Sequence, residues 1–460
     1  MDFANTINWQ KSYFQTGATR PLAFRQAMLA KLADALKRCE SDLFAALHAD
    51  LRKSPQESFT TEVGFVLSEI EHTSRHLRQW AKRRRKPAPL IAWPSQAFVQ
   101  PEPYGIALIM GPWNYPVQLL LTPLVAAIAA GNCAVLKPSE MAPHCSEAVA
   151  KIIQSIFPTE FVAVAEGNAD VAHALLELPF DKIFFTGSTA VGRSVMAAAA
   201  QHLTPITLEL GGKSPCLVCA DAPIKTTARR IVWGKFLNAG QTCTAPDFVM
   251  VDRRVSHELL EAFQAAITEF YGTNPRFSSD YGRIINRRHF DRLNRLMQAG
   301  KMACGGESDA DDLYVAPTIL TDTPWDSPVL QDEIFGPILP VVTFDTMEDA
   351  LALLAPRPVP LALYLFTRDR AVQEFVLSHA RSGGVCINDT LSHMLDKQLP
   401  FGGLGASGMG AYHGQASFEA FSHQRSVLRR SFAIDPALRY PPPKASFPML
   451  KKAFRFLMRD

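Results

Sequence analysis

Between residues 105 and 210 the chain alternates short apolar runs with longer stretches of helical periodicity. The apolar runs predict strands over residues 106–110, 133–136, 161–165, 182–185 and 205–210. The stretches between them predict helices near residues 117–130, 142–157, 170–176 and 189–202. Strands that alternate with helices in this way indicate a doubly wound parallel sheet.

Two further regions flank this alternation. In the first hundred residues, apolar positions recur every three or four residues over 22–47 and 63–80, which indicates helices packed beside the sheet. A second alternation of strands and helices runs from about 215 to 385 and ends in a strand-like run at 384–388. The predicted fold class is therefore α/β, with two α/β units in succession.

One segment of the first alternation has the length and polarity of a membrane span, because residues 103–136 carry no charge. Its prolines and glycines contradict a continuous helix. Pro116 suits the first turn of a helix and Gly131 suits its C-terminal end. This punctuation favours a buried strand, helix and strand over a membrane span.

Composition changes this picture little. The chain has 460 residues, 47% of them hydrophobic and 20% charged, and a net charge of +3, which fits a globular protein of two or three domains and indicates no particular partner. The eight cysteines show no dense repeating spacing, and the start lacks the basic and apolar regions of a signal peptide. Both observations predict a reducing compartment, the cytoplasm.

Two basic segments raise the question of nucleic acid or membrane partners. Residues 82–86 (KRRRK) are isolated and lack interleaved aromatic side chains, so a solvated junction is favoured over a nucleic-acid site. The prolines over 87–103 predict an extended arm, since proline disfavours helices and central strands. Residues 447–459 are basic and amphipathic, which fits contact with a membrane surface or packing on the body or another subunit. Packing is the favoured interpretation.

Two glycine motifs compete for a phosphate ligand. The motif G-x-G-x-x-G at 403–408 does not follow a strand, and residues 187–194 differ from a P-loop because Arg193 replaces its lysine. Gly187 and Ser188 still lie between a predicted strand and a predicted helix, where free backbone N–H groups bind phosphate. An ordinary turn between strand and helix is the alternative.

Cys243 is the strongest candidate nucleophile. Its neighbours are small and polar, and Gly240 permits close approach of the backbone. If Cys243 lay at the start of a helix, the helix dipole would lower the pKa of the thiol and activate it. Single cysteines in apolar runs are packing residues by contrast. Cys216 and Cys219 lack a second pair that would complete a zinc site, and no metal site is predicted.

Two polar residues follow predicted strands at the edge where ligands bind in α/β proteins. Glu209 would act as a general base if burial raised its pKa, and a surface carboxylate at a turn is the alternative. Asn114 would donate its side-chain amide to a developing oxyanion, and a cap for the following helix is the alternative.

Taken together, these segments resemble the aldehyde dehydrogenase superfamily. The motifs that carry the resemblance are PWNYP at 112–116, KPSE at 137–140, FTGST at 185–189, LELGGKSP at 208–215, GQTC at 240–243, EIFGP at 333–337 and LPFGG at 399–403. EVGFVLSEI at 62–70 and GMGAYHG at 408–414 resemble the class 3 branch, which includes fatty, aromatic and coniferyl aldehyde dehydrogenases. The resemblance implies a Rossmann-like cofactor domain and a second α/β catalytic domain.

The resemblance also implies a catalytic chemistry. Cys243 would add to the aldehyde carbon, and the Asn114 amide with the Cys243 backbone N–H would hold the oxyanion. After hydride transfer to the nicotinamide, water activated by Glu209 or Glu333 would hydrolyse the thioester; which glutamate is the base stays open. The alternatives are a thiol enzyme that transfers the acyl group to coenzyme A or to water without redox chemistry, and a non-catalytic scaffold.

Cofactor and substrate residues follow from the same motifs. The residues expected to bind the cofactor are Lys137, Glu140, Gly187, Ser188, Gly192, Glu333 and Phe335. A carboxylate beside the adenine ribose favours NAD, with NADP as the alternative. Tyr115, Trp233 and Phe401 are expected to line a pocket for an apolar aliphatic or aromatic aldehyde.

The resemblance finally implies a homodimer and a domain division. The expected boundaries are 1–81 with 104–208 for the cofactor domain, 209–386 for the catalytic domain, 82–103 with 387–440 for an oligomerisation arm, and 441–460 for a basic tail.

Overall fold

The computed structural model describes residues 2–89, 92–435, 440–441 and 446–457. Its α-helices are Phe3–Gln15, Leu22–Arg38, Glu40–Leu51, Pro55–Ser58, Gly64–Trp80, Gln118–Ala130, Pro143–Ile156, Ala169–Leu176, Thr189–Gln201, Ile224–Phe236, Ser256–Tyr271, Arg287–Leu296, Pro328–Gln331, Met347–Leu354, Arg370–His379, Gly414–Ala420 and Phe447–Leu457. A π-helical turn, Phe59–Val63, precedes the helix Gly64–Trp80. Parts of the predicted tail and of the arm's last residues lie outside the described residues.

The first sheet has six strands. Their order is Gly408–Met409, Ile206–Glu209, Lys182–Thr186, Ile106–Met110, Cys133–Lys137 and Val162–Val164. All are parallel except Gly408–Met409, which pairs antiparallel with Ile206–Glu209 at one edge. Each predicted strand and helix of this region is present to within about two residues. The prediction of an α/β fold with a Rossmann-like doubly wound sheet is confirmed.

The strand order of this sheet determines where a ligand fits. Following the chain, the second and third strands extend the sheet on one side of Ile106–Met110, and the fourth and fifth extend it on the other. The order therefore reverses between Ile106–Met110 and Lys182–Thr186. In doubly wound sheets the crevice for the ligand opens at the carboxyl ends of the strands at such a reversal.

A second sheet follows along the chain. Its seven strands are, in order, Lys301–Cys304, Thr318–Thr321, Ile338–Phe344, Phe248–Asp252, Pro215–Val218, Ala362–Phe366 and Gly384–Ile387. Six are parallel, and Lys301–Cys304 is antiparallel to its neighbour. Each large sheet has its own buried apolar core, as two α/β units require. A two-stranded ribbon joins Ser308–Asp309 to Tyr314–Val315.

The third sheet corrects one prediction. It consists of Arg84–Lys86, Ser95–Pro103 and Ser422–Arg430, and Ser95–Pro103 is its central strand although proline was expected to exclude that position. Arg84–Lys86 pairs only with residues 97–99, whereas Ser422–Arg430 pairs along the whole strand. Pro101 and Pro103 thus lie where the strand has only one neighbour, a position at which sheets tolerate proline.

The uncharged segment forms the predicted strand, helix and strand. Every residue of Gln118–Ala130 is buried, and the helix ends at Gly131 in the left-handed conformation with φ of 95°. Its apolar surface is thus covered by protein on all sides. Among the described residues, no helix combines the length and apolar character that crossing a bilayer requires.

Candidate active site

The candidate residues of the first sheet meet at its carboxyl edge. The loop with Asn114 follows Ile106–Met110, and Gly187 follows the neighbouring strand Lys182–Thr186. Lys137 and Glu209 are the last residues of two further parallel strands. The sheet therefore brings together residues that lie up to about a hundred positions apart in the sequence, at the reversal of strand order where a ligand is expected.

Cys243 lies in an irregular turn and not at the start of a helix, which corrects the prediction. The helix Ile224–Phe236 ends, and Asn238, Ala239 and Gly240 take the left-handed conformation with φ of 52°, 51° and 74°. A β-carbon on Gly240 would lie 2.3 Å from the carbonyl oxygen of Gly336. Glycine is therefore required where the turn of Cys243 meets the segment that follows Glu333.

The thiol of Cys243 is also less acidic than a helix start would make it. Burial first, and then the charges of Glu333 and Glu209, raise its pKa to about 12, while its own backbone N–H and that of Thr244 act in the opposite direction. Two N–H groups thus point at the sulfur, and two carboxylates lie close enough to oppose its ionisation. Ionisation of either carboxyl group therefore disfavours the thiolate.

Asn114 is buried and directed at the turn of Cys243. Its Nδ2 donates to the carbonyl of Gln241 at 3.0 Å, two residues before the thiol. The second hydrogen of that amide is available to another acceptor. The next residue, Tyr115, is held on the same turn by a 2.6 Å hydrogen bond between its hydroxyl and Oγ1 of Thr242.

Glu209 is buried without a hydrogen-bond partner for its carboxyl group among the described residues. Its side chain is 3% exposed, and neither Oε1 nor Oε2 has a partner there. Burial alone raises the pKa of this carboxyl well above its usual range. A buried acid that accepts no protein hydrogen bond has both oxygens free for water. The surface-turn alternative is therefore wrong.

Glu333 approaches from the second unit. Its carboxylate packs so closely on the backbone of Gly211 that a β-carbon there would lie 2.1 Å from Oε2. Burial and the charge of Asp247 raise the pKa of Glu333 to about 8, and the N–H of Gly212 lowers it. Unlike Glu209, this carboxylate is held by a backbone donor.

The residues expected to bind the cofactor lie along the same edge. Nζ of Lys137 donates to the carbonyl of Pro138 at 2.8 Å and to Oε2 of Glu140 at 3.2 Å. The side chains of Lys137 and Glu140 are therefore in contact with each other at this edge. Ser188 caps the helix Thr189–Gln201 by accepting the N–H of Val191. The first N–H groups and the positive dipole end of this helix lie directly after the strand that borders the crevice, an arrangement that fits a diphosphate.

Gly192 has a packing role in the structure. A β-carbon there would lie 2.6 Å from Cδ2 of Leu210, so glycine allows the helix Thr189–Gln201 to approach the end of the neighbouring strand. Close contact between helix and strand is the reason for one glycine of dinucleotide-binding turns. A direct contact between Gly192 and a cofactor stays a prediction.

The predicted aromatic residues differ in their surroundings. Phe335 has a positive φ of 47° and packs edge-on against Trp113, with 5.2 Å between the ring centres. Phe401 is buried and stacks on His413 at 5.2 Å. Trp233 is 40% exposed on the helix Ile224–Phe236, so it is not a core residue. It stays a predicted pocket residue.

One aromatic neighbour of the thiol has no role in the sequence-based prediction. Tyr412 is buried, and the charges of Glu209 and Cys243 both contribute to raising its pKa. Its backbone pairs with Phe401 through two hydrogen bonds, of 2.9 and 2.8 Å, so both rings are fixed on one bridge. The motif at 408–414 could have indicated Tyr412 as a site residue, because it places a tyrosine and a histidine among glycines beyond the predicted catalytic domain.

Comparison with known proteins decides the family. The model of the aldehyde dehydrogenase family matches residues 2–427. This chain belongs to the aldehyde dehydrogenase family. The dehydrogenase is 43% identical to a 4,4'-diaponeurosporen-aldehyde dehydrogenase of Staphylococcus aureus, over 97% of each chain. It is 46% identical to human aldehyde dehydrogenase family 3 member B1, over 95% of this chain and 94% of the relative.

A solved structure agrees with the described fold. A substrate-bound aldehyde dehydrogenase of Staphylococcus aureus superimposes with a TM-score of 0.97 and 42% identity, covering 99% of this chain and 100% of that one. The resemblance to the class 3 branch is confirmed. The protein is thus an oxidoreductase that oxidises an aldehyde to the carboxylic acid with NAD(P), through the cysteine chemistry general to its family. The thiol-transferase and scaffold alternatives are set aside.

Proposed function

We propose that Cys243 is the nucleophile of this aldehyde dehydrogenase and that Asn114 and Glu209 assist it at successive steps. The thiolate adds to the aldehyde carbon, and the oxyanion accepts hydrogen bonds from the free hydrogen of Asn114 Nδ2 and from the Cys243 N–H. Gly187, Ser188, Lys137 and Glu140 would hold the cofactor, whose nicotinamide would supply the acceptor for the hydride that leaves this carbon. A thioester on Cys243 remains, and its hydrolysis releases the acid and restores the thiol.

Glu209 is the base that we propose for thioester hydrolysis. Both of its oxygens lack a hydrogen-bond partner among the described residues, and burial raises the pKa of the carboxyl, so its ionised form is a stronger base than an exposed carboxylate. A water between Glu209 and the thioester carbon would give up a proton to Glu209 as it attacks. Glu333 is the weaker candidate, because its carboxylate is already held by Gly212.

For the cofactor we propose NAD, with NADP as the second candidate. The N-terminus of the helix at Ser188 fits the diphosphate, and Lys137 and Glu140 fit the adenine ribose. The exposed carboxylate of Glu140 would repel a phosphate on that ribose, which supports NAD. Glu333 and Phe335 would lie at the nicotinamide end.

The substrate that we propose is an apolar aliphatic or aromatic aldehyde. Tyr115 and Phe401 are buried aromatic residues, and Tyr115 is hydrogen-bonded to the turn of Cys243. The name of the Staphylococcus aureus relative indicates 4,4'-diaponeurosporen-aldehyde as the substrate of that protein. We also propose the domain boundaries given above, a homodimer and a cytoplasmic location. Within the proposed arm, Gly408–Met409 nevertheless belongs to the first sheet.

The roles are tested by absorbance of reduced nicotinamide with NAD or NADP and a panel of aliphatic and aromatic aldehydes. The Cys243→Ala variant should lose cofactor reduction by at least about a thousandfold, because no other group can form the thioester. Cys304→Ala, at a partly exposed cysteine of the second sheet, serves as the control and should retain it. An undiminished rate in Cys243→Ala would contradict the proposed nucleophile.

A further inference from the structure

Two charged side chains are buried beneath the loop that carries Asn114. Nζ of Lys53 lies 2.6 Å from Oε1 of Glu62, and neither side chain has any exposed surface. Burying an ion pair costs desolvation free energy and seldom adds net stability. A pair in such a place therefore calls for an explanation other than stability.

The pair holds the loop in its middle and at its end. Nζ of Lys53 also donates to the backbone carbonyl of Asn114 at 3.1 Å. The other oxygen of Glu62 accepts the N–H groups of Val117 at 3.1 Å and Gln118 at 2.8 Å. These are the first N–H groups of the helix Gln118–Ala130, which has no side-chain cap of its own. One ion pair thus fixes the middle of the loop through Lys53 and its end through Glu62.

The local backbone is adapted to deliver Glu62. This residue lies in the π-helical turn Phe59–Val63, a widened turn of a kind that is frequent at functional sites. A β-carbon on Gly64 would lie 2.7 Å from the carbonyl oxygen of Phe59, so glycine accommodates the wide turn. Glu62 also begins the motif at 62–70.

The contacts of Asn114 connect the pair to the reaction. Its backbone carbonyl accepts a second hydrogen bond, 2.8 Å long, from Nδ2 of Asn238 in the turn of Cys243. Its side-chain Nδ2 donates to Gln241 in the same turn. With the peptide carbonyl held by two donors, the direction of the side-chain amide is fixed relative to the sulfur. The Lys53 ammonium also lies 3.9 Å from the ring centre of Tyr115, the next residue of the loop.

We propose that Lys53 and Glu62 form a positioning pair that aims the Asn114 amide at the oxyanion. The inference rests on the proposed role of Asn114. Neither residue touches the substrate in this proposal; both act through Asn114. Loss of the pair should therefore slow the step in which the oxyanion forms and leave cofactor binding unchanged.

The test uses the full-length enzyme with Lys53→Met combined with Glu62→Gln, so that no charge is left buried alone. We expect the single-turnover burst of reduced cofactor to slow by about tenfold to a hundredfold, while KM for the cofactor changes by less than about twofold. Lys151→Met with Glu147→Gln removes the same residue types from an exposed pair and is the matched control. Its burst should equal that of the wild type.

A double-mutant cycle with Asn114→Ala separates positioning from a purely structural role. In the Asn114→Ala background, loss of the pair should slow the burst by no more than about twofold further, because the group that the pair positions is gone. If the combined variant does not fold, Glu62→Gln alone keeps the shape and an acceptor oxygen and should slow the burst by about threefold to tenfold.

The outcomes distinguish this inference from the proposed function. Asn114→Ala with a wild-type burst would contradict the role of Asn114 and the positioning pair with it. A slow burst in Asn114→Ala together with a normal burst in the pair variant would overturn the positioning pair alone. Fully multiplicative losses in the cycle would overturn it as well.

Discussion

At the scale of single residues, the pKa values of the site's acidic groups depend on burial more than on neighbouring positive charge. Glu209, Glu333 and Cys243 all have raised pKa values, and burial is the largest cause in each. Three such acids in one place titrate as a coupled set, because ionisation of one disfavours ionisation of the others. The reactivity of the thiol therefore depends on which carboxyl group is neutral.

Glu209→Gln tests the proposed base. The glutamine keeps the shape but cannot take up a proton from water, so thioester hydrolysis should slow by about a hundredfold or more. The first turnover should still release about one equivalent of reduced cofactor per active cysteine. Rapid-mixing absorbance measures both phases, and the exposed Glu177→Gln is the control. Equal losses in the burst and in the steady state would argue against this role.

Glu333→Gln tests the charge coupling to the thiol. Above the pKa of about 8 of Glu333, its carboxylate raises the pKa of Cys243, so the neutral glutamine should lower it. Alkylation of Cys243 by iodoacetamide in the cofactor-free enzyme should then be about threefold to tenfold faster than wild type near about pH 9, and equal near about pH 6. Peptide mass analysis quantifies the modified thiol. A difference of the same size at both pH values would contradict the coupling.

At the scale of elements, the turn of Cys243 is a strained connection held by contacts from both units. Asn238, Ala239 and Gly240 are consecutive residues in the left-handed conformation. L-amino acids such as Asn238 and Ala239 adopt this conformation only when other contacts enforce it. The enforcing contacts come from Asn114 of the first unit and Gly336 of the second. The nucleophile therefore sits where the two units meet.

Gly240→Ala should disturb this turn. The new β-carbon would collide with the carbonyl of Gly336 at 2.3 Å, so we expect the free energy of unfolding to fall by about 3 kcal/mol and the burst to slow severalfold. Gly272→Ala is matched in φ, at 79° against 74°, and has no atom within 4 Å of its new β-carbon. Thermal unfolding and burst rates of both variants give the comparison. Equal effects would mean that backbone strain, and not the collision, determines the loss.

At the scale of the whole molecule, the third sheet has a long edge strand. Ser422–Arg430 pairs on one side only, with Ser95–Pro103, and is nine residues long. Leu428 on this strand is 53% exposed, and Phe432 just after it is fully exposed. A long edge strand with exposed apolar side chains favours contact with another chain. This supports the proposed homodimer through the arm.

Leu428→Asp with Phe432→Asp tests that assembly. Two charges on the arm should weaken association, because an apolar contact would have to bury them unpaired. Sedimentation should show a shift from dimer to monomer at micromolar concentration, with the circular dichroism unchanged. Leu203→Asp, at another highly exposed leucine, is the control. A dimer that persists in the double variant would exclude the arm as its main contact.

The local sequence pattern was sufficient to predict much of this protein's secondary structure. The sequence determined the five strands and four helices of the first sheet, the strand, helix and strand inside the uncharged segment, and the turn at Gly187 and Ser188. Apolar periodicity and the positions of glycine and proline encode these features within a few residues of chain. The motifs also identified the family and its candidate residues, because side-chain chemistry at fixed spacing needs no coordinates to recognise.

Only the tertiary structure decided how those residues act. The thiol lies in a strained turn and not at an activating helix start. Its pKa is raised first by burial and then by Glu333 and Glu209, which reach it from different units. Lys53 contacts Asn114 across 61 positions of sequence. Ser95–Pro103 is a central strand because one of its partner strands precedes it in the sequence and the other follows it. Burial and charge coupling depend on residues distant in sequence, so no local pattern contains them.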